Sequence, residues 1–312
     1  QTRHVRAPWV HSSHFQHVGG RKLARLATKT SCRTVYYMKR EMRLLLLLTA
    51  VFALSSNQLR NFKAVILPGF GNESDDYYLP QNEVGSLVNS LQARGWRDIS
   101  VLPMRRTDWL QVFWRGGLDW KFWLNQAPAT RPAFAWYLSL IEDEVKQSEL
   151  PVVLIGHSAG GWLARAALGY RRLPKVCGLV TLGAPHVPPP PESMDMTRGA
   201  LRITDQEFPG AYHRDLFYIT VVGDAIQGVP QRRKSLFFEP TTVTGFAYSS
   251  YQAVSGDGTA LGDSVVPLSH AHLKRGKANH APGCLALDQC ARQLVRIGRR
   301  SRFLARRVST VA

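Results

Sequence analysis

Cysteine, internal repeats and long apolar runs are all scarce in this 312-residue sequence. It contains four cysteines, too few for a disulfide-rich scaffold. Its most apolar segment, Leu44–Leu54, has eleven residues, whereas a membrane-spanning helix needs about 20. The absence of repeats excludes a solenoid. A hydrophobic content of 45% excludes disorder of the whole chain, so we expect a globular domain.

Acidic residues are almost absent from both ends of the chain. Residues 1–43 contain ten Lys or Arg and one acid, and residues 289–312 contain seven Arg and no acid. These ends carry +9 and +7 of the formal net charge of +18, so residues 44–288 carry only +2. The basicity therefore does not predict a nucleic-acid partner for the central domain. The Arg-rich tail at 289–312 could contact an anionic lipid surface.

A segment that begins at Met38 has the order of a secretory signal peptide. Three basic residues precede the apolar run Leu44–Leu54, and small residues follow it. We interpret residues 38–55 as a signal peptide and expect a protein of the secretory pathway or a secreted protein. Residues 1–37 are either a basic leader, compatible with plastid import, or translated upstream sequence. A buried helix of the fold is the alternative reading of the apolar run.

Short apolar segments alternate with helical patterns in the middle of the chain. Strands are predicted at 64–67, 99–102, 151–156, 176–182 and 216–222, and helices at 83–94, 132–149 and 159–168. This alternation predicts an α/β fold with a mostly parallel central sheet and helices on both faces. We expect the domain to span residues 60–288, and Gly169 to cap the last of these helices.

The strongest functional signal is the G-x-S-x-G motif at 156–160. It lies between an apolar strand and a helix of small residues, which is the strand–turn–helix of a nucleophile elbow. We predict Ser158 as a nucleophile, and the backbone N–H groups of Ala159 and Phe70 as an oxyanion hole. Phe70 qualifies because it lies just after an earlier strand. A structural turn with an idle serine is the alternative.

The acid and the base must follow this serine in the order Asp or Glu, then His. Asp224, at the end of a predicted strand, and Asp263, before a short apolar run, are the candidate acids. We predict His280 as the base, because it lies in a His-Ala-Pro-Gly loop. His270 and His272 flank a predicted strand end, where a surface histidine is the simpler interpretation.

Five tryptophans lie between Trp109 and Trp136. They indicate either ordinary packing or an apolar lid or acyl-chain wall beside the site, with Gly116–Gly117 as a hinge. The late histidines lack the ligand spacing of a zinc enzyme, and no phosphate-binding loop is present. We therefore expect neither a metal nor a cofactor.

Several longer blocks occur in a specific order along residues 62–272. They include ILPGFGN at 66–72, GHSAGGWLAR at 156–165, VTLGAPHVPPP at 180–190, VVGDAIQG at 221–228 and GDSVVPLSHAHL at 262–273. In these blocks the chain resembles plant and algal α/β-hydrolase proteins of the lipase and esterase type and, more distantly, bacterial triacylglycerol lipases. The resemblance implies an α/β-hydrolase fold and a Ser-His-Asp hydrolase of lipid or other esters, with Asp263 as the acid ahead of Asp224.

The same resemblance exposes a difference at the base. In that family the His follows the Asp at a longer distance than the 17 residues that separate His280 from Asp263 here. Two other functions are therefore kept as alternatives. One is an acyltransferase or thioesterase with the same triad, and the other is a lipid-surface binding protein whose base is impaired.

Overall fold

A parallel sheet forms the centre of the computed structural model, which describes residues 59–78, 85–231 and 242–273. Its strands, in chain order, are β1 Lys63–Leu67, β2 Asp98–Val101, β3 Val152–His157, β4 Val176–Leu182 and β5 Phe217–Val221. They lie side by side in the order β2-β1-β3-β4-β5, and every neighbouring pair is parallel. The parallel sheet predicted from the sequence is confirmed. Because β3 is central, the serine motif at its end lies in the middle of the carboxyl edge.

Helices connect these strands. In chain order they are α1 Asp75–Tyr78, α2 Leu87–Gln92, α3 Leu110–Gly117, α4 Trp120–Trp123, α5 Pro132–Lys146, α6 Ala159–Tyr170, α7 Ala200–Glu207, α8 Val243–Ser255 and α9 Leu268–Ala271. Two short strands, β6 Ile226–Gln227 and β7 Leu261–Gly262, form an antiparallel pair beyond β5. This pair matters for the site because it brings the segment around Asp263 back to the end of β5.

Alternate side chains of the strands pack against opposite helical layers, as the period of a strand requires. On one face, Val65 and Leu154 belong to a buried cluster with residues of α5 and α6. On the other face, Ile66 and Ile155 belong to a second cluster with residues of α2. Helices therefore cover both faces of the sheet, as expected for strands that are apolar along their whole length.

The predicted helix end at Gly169 and the predicted strand end at His270 and His272 are wrong, and the helix predicted at 132–149 ends at Lys146. Helix α6 does not end before Gly169 but continues to Tyr170. Position 169 requires glycine because an added Cβ would come 2.2 Å from the Phe208 ring. This glycine therefore reflects close packing and does not mark the end of the helix. The predicted strand end at His270 and His272 is instead the short helix α9, which begins after Pro267.

Several predictions concern residues outside the described ranges. They are the leader at 1–37, the signal peptide at 38–55, the Arg-rich tail at 289–312 and the proposed base His280. These stay predictions.

Candidate active site

Ser158 occupies the tight turn between β3 and α6. Its backbone has φ 49° and ψ −120°, a conformation that residues with a Cβ seldom adopt. An added Cβ at Gly156 would lie 2.4 Å from Gly161 Cα, and one at Gly160 would lie 2.2 Å from the Leu67 carbonyl oxygen. Only glycine fits these two positions, so β1 and α6 can close around the turn. This is the geometry of a nucleophile elbow.

The loop that carries Phe70 lies directly beside this serine. An added Cβ at Gly69 would come 2.9 Å from Ser158 Cβ, so the two backbones are in near contact. Among the residues that the structure describes, the Phe70 N–H has no hydrogen-bond partner. Ala159 is the first residue of α6, where backbone N–H groups have no partner within the helix. Both predicted oxyanion donors therefore lie in segments that adjoin Ser158.

Three hydrogen bonds hold the loop that precedes Phe70. The Tyr137 hydroxyl donates to the Pro68 carbonyl at 2.7 Å. The Gly69 N–H donates to the Tyr77 hydroxyl at 3.1 Å, and the Gly69 carbonyl accepts from the Asn72 N–H at 3.0 Å. The backbone before Phe70 is thus fixed on both sides. Sequence reasoning missed both tyrosines, because nothing in their local sequence relates them to this loop.

His157, the residue before Ser158, is hydrogen-bonded to Tyr77, which also accepts from Gly69. Its Nδ1 lies 2.8 Å from the Tyr77 hydroxyl oxygen. Burial lowers the pKa of His157 to about 4, against a smaller opposing effect of the Asp76 charge. The ring is therefore neutral at pH 7, and a neutral Nδ1 can accept the Tyr77 proton. Two hydrogen bonds that share the Tyr77 hydroxyl, one from Gly69 N–H and one to His157, therefore join the Phe70 loop to the turn at Ser158.

The structure distinguishes the two candidate acids by their surroundings. Asp224 is exposed in the loop after β5. Asp263 is half-buried, and its Oδ1 accepts hydrogen bonds from the backbone N–H groups of Val265 at 2.8 Å and Val266 at 2.7 Å. An added Cβ at Gly223 would come 3.2 Å from Asp263 Cβ, so Asp263 lies at the carboxyl end of β5. These two backbone donors hold the carboxylate in one orientation.

His270 and His272 lie near the same edge. His272 is exposed, and its Nδ1 lies 2.8 Å from the Thr220 hydroxyl on β5. His270 is half-buried, and its carbonyl accepts from the His186 N–H at 2.7 Å. These contacts fix α9 against the loop after β4, so the chain that continues toward His280 starts from this edge.

A buried arginine connects helix α6 to these loops. Arg165 of α6 donates to the His186 carbonyl at 3.0 Å, to Asp205 Oδ1 at 2.5 Å and to the Phe208 carbonyl at 2.8 Å. His186 is also buried, with its Nε2 3.0 Å from the Thr181 hydroxyl. Burial and, secondarily, the Arg165 and His272 charges lower its pKa to about 3. His186 precedes both candidate acids in the chain, so it does not fit the order Ser, acid, His.

The tryptophan-rich segment divides between packing and exposure. Trp109 is buried, and its ring centroid lies 5.1 Å from that of Phe70 and 5.4 Å from that of Tyr137. An aromatic wall therefore supports the proposed oxyanion loop. The exposed tryptophans of the segment are Trp114, Trp120 and Trp123.

The hinge predicted at Gly116–Gly117 is instead a packed helix end. Both glycines belong to α3, and an added Cβ at Gly116 would lie 2.6 Å from the Phe122 ring. Close packing of α3 on α4 is the reason for glycine at this position.

Among residues 59–78, 85–231 and 242–273, no group of three or more His, Cys, Asp or Glu could hold a metal ion. None of the helices in these ranges is long and apolar enough to cross a membrane.

A comparison with known protein families gives a match to part of this chain, and no curated protein matches the chain. Residues 124–209 match the PGAP1-like alpha/beta domain. The match contains β3, the elbow, α6 and β4, and it excludes Phe70 and Asp263. Together with the parallel sheet and its helices, it supports the predicted α/β-hydrolase fold. The chain therefore has an α/β fold of the hydrolase type, with a segment similar to the PGAP1-like alpha/beta domain.

Proposed function

We propose that the protein is a serine hydrolase that cleaves carboxylic ester bonds, with lipids or other apolar esters as substrates. The observation that carries this proposal is the strained Ser158 between β3 and α6, beside the Phe70 loop. The aromatic wall of Trp109 and Phe70 favours an apolar acyl group. The resemblance to plant and algal lipases and esterases belongs to the same proposal.

In the proposed mechanism, Ser158 Oγ attacks the acyl carbonyl carbon and His280 accepts the hydroxyl proton. The negative oxygen of the tetrahedral intermediate accepts hydrogen bonds from the Phe70 and Ala159 N–H groups, each worth about 3 kcal/mol of the barrier. His280 then donates the proton to the leaving alcohol, which leaves an acyl-enzyme. A water molecule, activated by the same His, hydrolyses this ester and regenerates Ser158.

Asp263 is proposed to orient the His280 imidazole and to stabilise its charged form. Its support is the pair of backbone donors at Oδ1, which hold the carboxylate in one orientation. Asp224 is exposed, so water would weaken its attraction to a charged imidazole. Seven residues lead from Leu273 to His280, enough for a reach of up to about 25 Å.

A fluorophosphonate probe tests the nucleophile. We expect the full chain to react with the probe and to hydrolyse p-nitrophenyl esters, and Ser158→Ala to lose both. Ser139→Ala is the matched control, because this serine lies on the surface of α5. A folded wild-type protein that takes up no probe would exclude the proposal.

Substitution of each candidate acid tests which of them acts with the base in ester hydrolysis. Asp263→Asn should lower kcat by about 10⁴-fold with its fold intact, as expected for loss of the residue that orients the base. Asp224→Asn should lower it less than twofold. The reverse order of effects would assign the acid to Asp224. His280→Ala and His272→Ala, compared in the same assay, identify the base.

Two finer points belong to this proposal. Acyl transfer to an alcohol or a thiol uses the same acyl-enzyme, so products must be identified with competing acceptors present. Entry into the secretory pathway rests on the segment 38–55, and sequencing the N-terminus of the mature protein tests it.

A further inference from the structure

We propose that α3 and α4 form a docking surface for a bilayer containing anionic phospholipid, and that the esters cleaved at Ser158 come from this bilayer. The docking surface consists of the side chains of Phe113, Trp114, Leu118, Trp120, Trp123 and Leu124. The inference rests on the proposed hydrolase function and adds the physical source of its substrate.

The apolar side of α3 points away from the core. Trp114 is 68% exposed and Leu118 is 84% exposed, and their spacing of four residues places them on one side of the helix. Val112 and Gly116, on the opposite side, are buried. A surface helix normally buries its apolar side. Large apolar side chains that are exposed together on one side of a helix indicate a binding surface.

Helix α4 extends this surface and is held rigidly against α3. Trp120 and Trp123 are each 62% exposed, whereas Phe122 between them is buried against Gly116. The Trp123 indole N–H donates to the Gly117 carbonyl at 2.9 Å. Because this N–H is already satisfied within the protein, the ring can leave water without losing a hydrogen bond.

The charges around the docking surface favour an anionic layer. The sole acid between residues 110 and 124 is Asp119, which is buried and paired with Arg131 at 2.7 Å. Arg115 is exposed, and the Lys121 ammonium lies 5.7 Å from the centre of the Trp120 ring. Tryptophan, leucine and phenylalanine beside lysine and arginine, without exposed carboxylates, are typical of helices that lie in a membrane interface.

The docking surface is continuous with the candidate active site. The Phe113 and Phe70 rings contact edge to face, with centroids 6.2 Å apart. The Phe70 amide is the proposed oxyanion donor, and the Gly69 backbone adjoins Ser158. An acyl chain that leaves the bilayer beside α3 would therefore contact aromatic side chains on the way to the nucleophile.

Tryptophan fluorescence provides a readout specific to this surface. Trp114, Trp120 and Trp123 are exposed, whereas Trp96, Trp109 and Trp162 are buried and Trp136 is partly buried. Trp9 lies outside the described residues, so all variants carry Trp9→Phe. With phosphatidylcholine vesicles that contain phosphatidylserine, we expect the emission to shift to shorter wavelength and to be quenched by brominated acyl chains.

Two sets of substitutions distinguish the loss of vesicle binding from the loss of the tryptophan emission shift. Trp114→Ser, Trp120→Ser and Trp123→Ser combined should weaken vesicle binding by about 1,000-fold or more, since each inserted aromatic ring contributes about tenfold or more in affinity. The variant with Trp114→Phe, Trp120→Phe and Trp123→Phe should still bind vesicles but should lose most of the shift in tryptophan emission. Arg115→Gln with Lys121→Gln should reduce the preference for phosphatidylserine by about fivefold per residue.

The matched control removes exposed apolar side chains elsewhere: Tyr212→Ser, Val229→Ser and Phe246→Ser. This control variant should bind vesicles as tightly as the Trp9→Phe chain. Circular dichroism should show that every variant is folded.

Two results would overturn the inference. If the triple Ser variant bound vesicles as tightly as the Trp9→Phe chain, the docking would belong to the basic ends or to the Leu44–Leu54 run. If that variant instead changed a self-associating chain into a monomer, without any vesicle effect, the surface would bind a second copy. Failure of the hydrolase proposal looks different: vesicle binding persists while the wild-type chain cleaves no soluble short-chain ester.

Discussion

At the scale of single residues, the Tyr77 hydroxyl links the two halves of the candidate site. It accepts from the Gly69 N–H and contacts His157 Nδ1, so one oxygen atom connects the oxyanion loop to the residue before the nucleophile. Tyr77 is almost fully buried, so water would not readily replace a lost hydroxyl. We infer that Tyr77 is a positioning residue for the Phe70 amide.

Tyr77→Phe should therefore affect the transition state more than substrate binding. Without the hydroxyl, the Gly69 amide loses its partner and the Phe70 donor moves, so kcat should fall about tenfold, equivalent to ~1.4 kcal/mol of barrier. KM for a soluble ester should change less than twofold. Tyr212→Phe, at an exposed ring, is the control. A rise of KM at constant kcat would show that Tyr77 instead shapes the binding site.

Some residues of the candidate site could be predicted from the sequence, and others could not. Ser158 and Ala159 lie in a local motif, and Phe70 lies just after a predicted strand, so short patterns were enough to name them as candidates. Tyr77, Tyr137 and Arg165 act through contacts made across the fold. No periodicity or spacing relates them to the site, which explains why sequence reasoning missed them.

At the scale of secondary structure elements, the central strands β1, β3 and β4 could be predicted well because nearly all of their residues are buried. A continuous apolar run such as Val176–Leu182 was predicted with its observed bounds. The end of α6 could not be predicted. Glycine normally signals a helix end, but Gly169 is required by the approach of Phe208, which lies 39 residues further along the chain. Contacts of this range are not visible in a local pattern.

The glycines at the elbow lead to an element-scale prediction. At Gly160 an added Cβ would meet the Leu67 carbonyl, whereas at Gly117 its nearest neighbour, on Trp123, is 3.9 Å away. Gly160→Ala should therefore push α6 away from β1, lower the free energy of unfolding by roughly 1–3 kcal/mol and slow probe labelling of Ser158 at least tenfold. Gly117→Ala, also in a helix, should leave both unchanged or raise stability slightly.

Urea unfolding and the labelling rate measure these two effects. Equal stability and equal labelling of Gly160→Ala and Gly117→Ala would contradict the close approach of β1 and α6.

At the scale of the whole molecule, buried polar groups connect elements that are distant in the chain. Arg165 and His186 join the nucleophile helix to α7, to the loop after β4 and, through the His270 carbonyl, to α9. Arg165 and His186 are both buried, so a positive charge on His186 would lie away from water. The pH dependence of unfolding therefore reports whether this network is intact.

His186 should make the protein less stable in mild acid. Its pKa is lowered from 6.5 to about 3 in the folded protein, so between these values the unfolded chain binds a proton that the folded chain does not. The free energy of unfolding must then fall as the pH decreases through this window. Between pH 7 and pH 5, His186 alone should account for a decrease of about 2 kcal/mol. Urea unfolding at both pH values, on the full chain and on His186→Gln, measures it: the variant should lose that much less stability, even if it is less stable at pH 7. Equal decreases in the two proteins would show that His186 is already protonated, or accessible to water, in the folded state, and that the network does not isolate it from solvent.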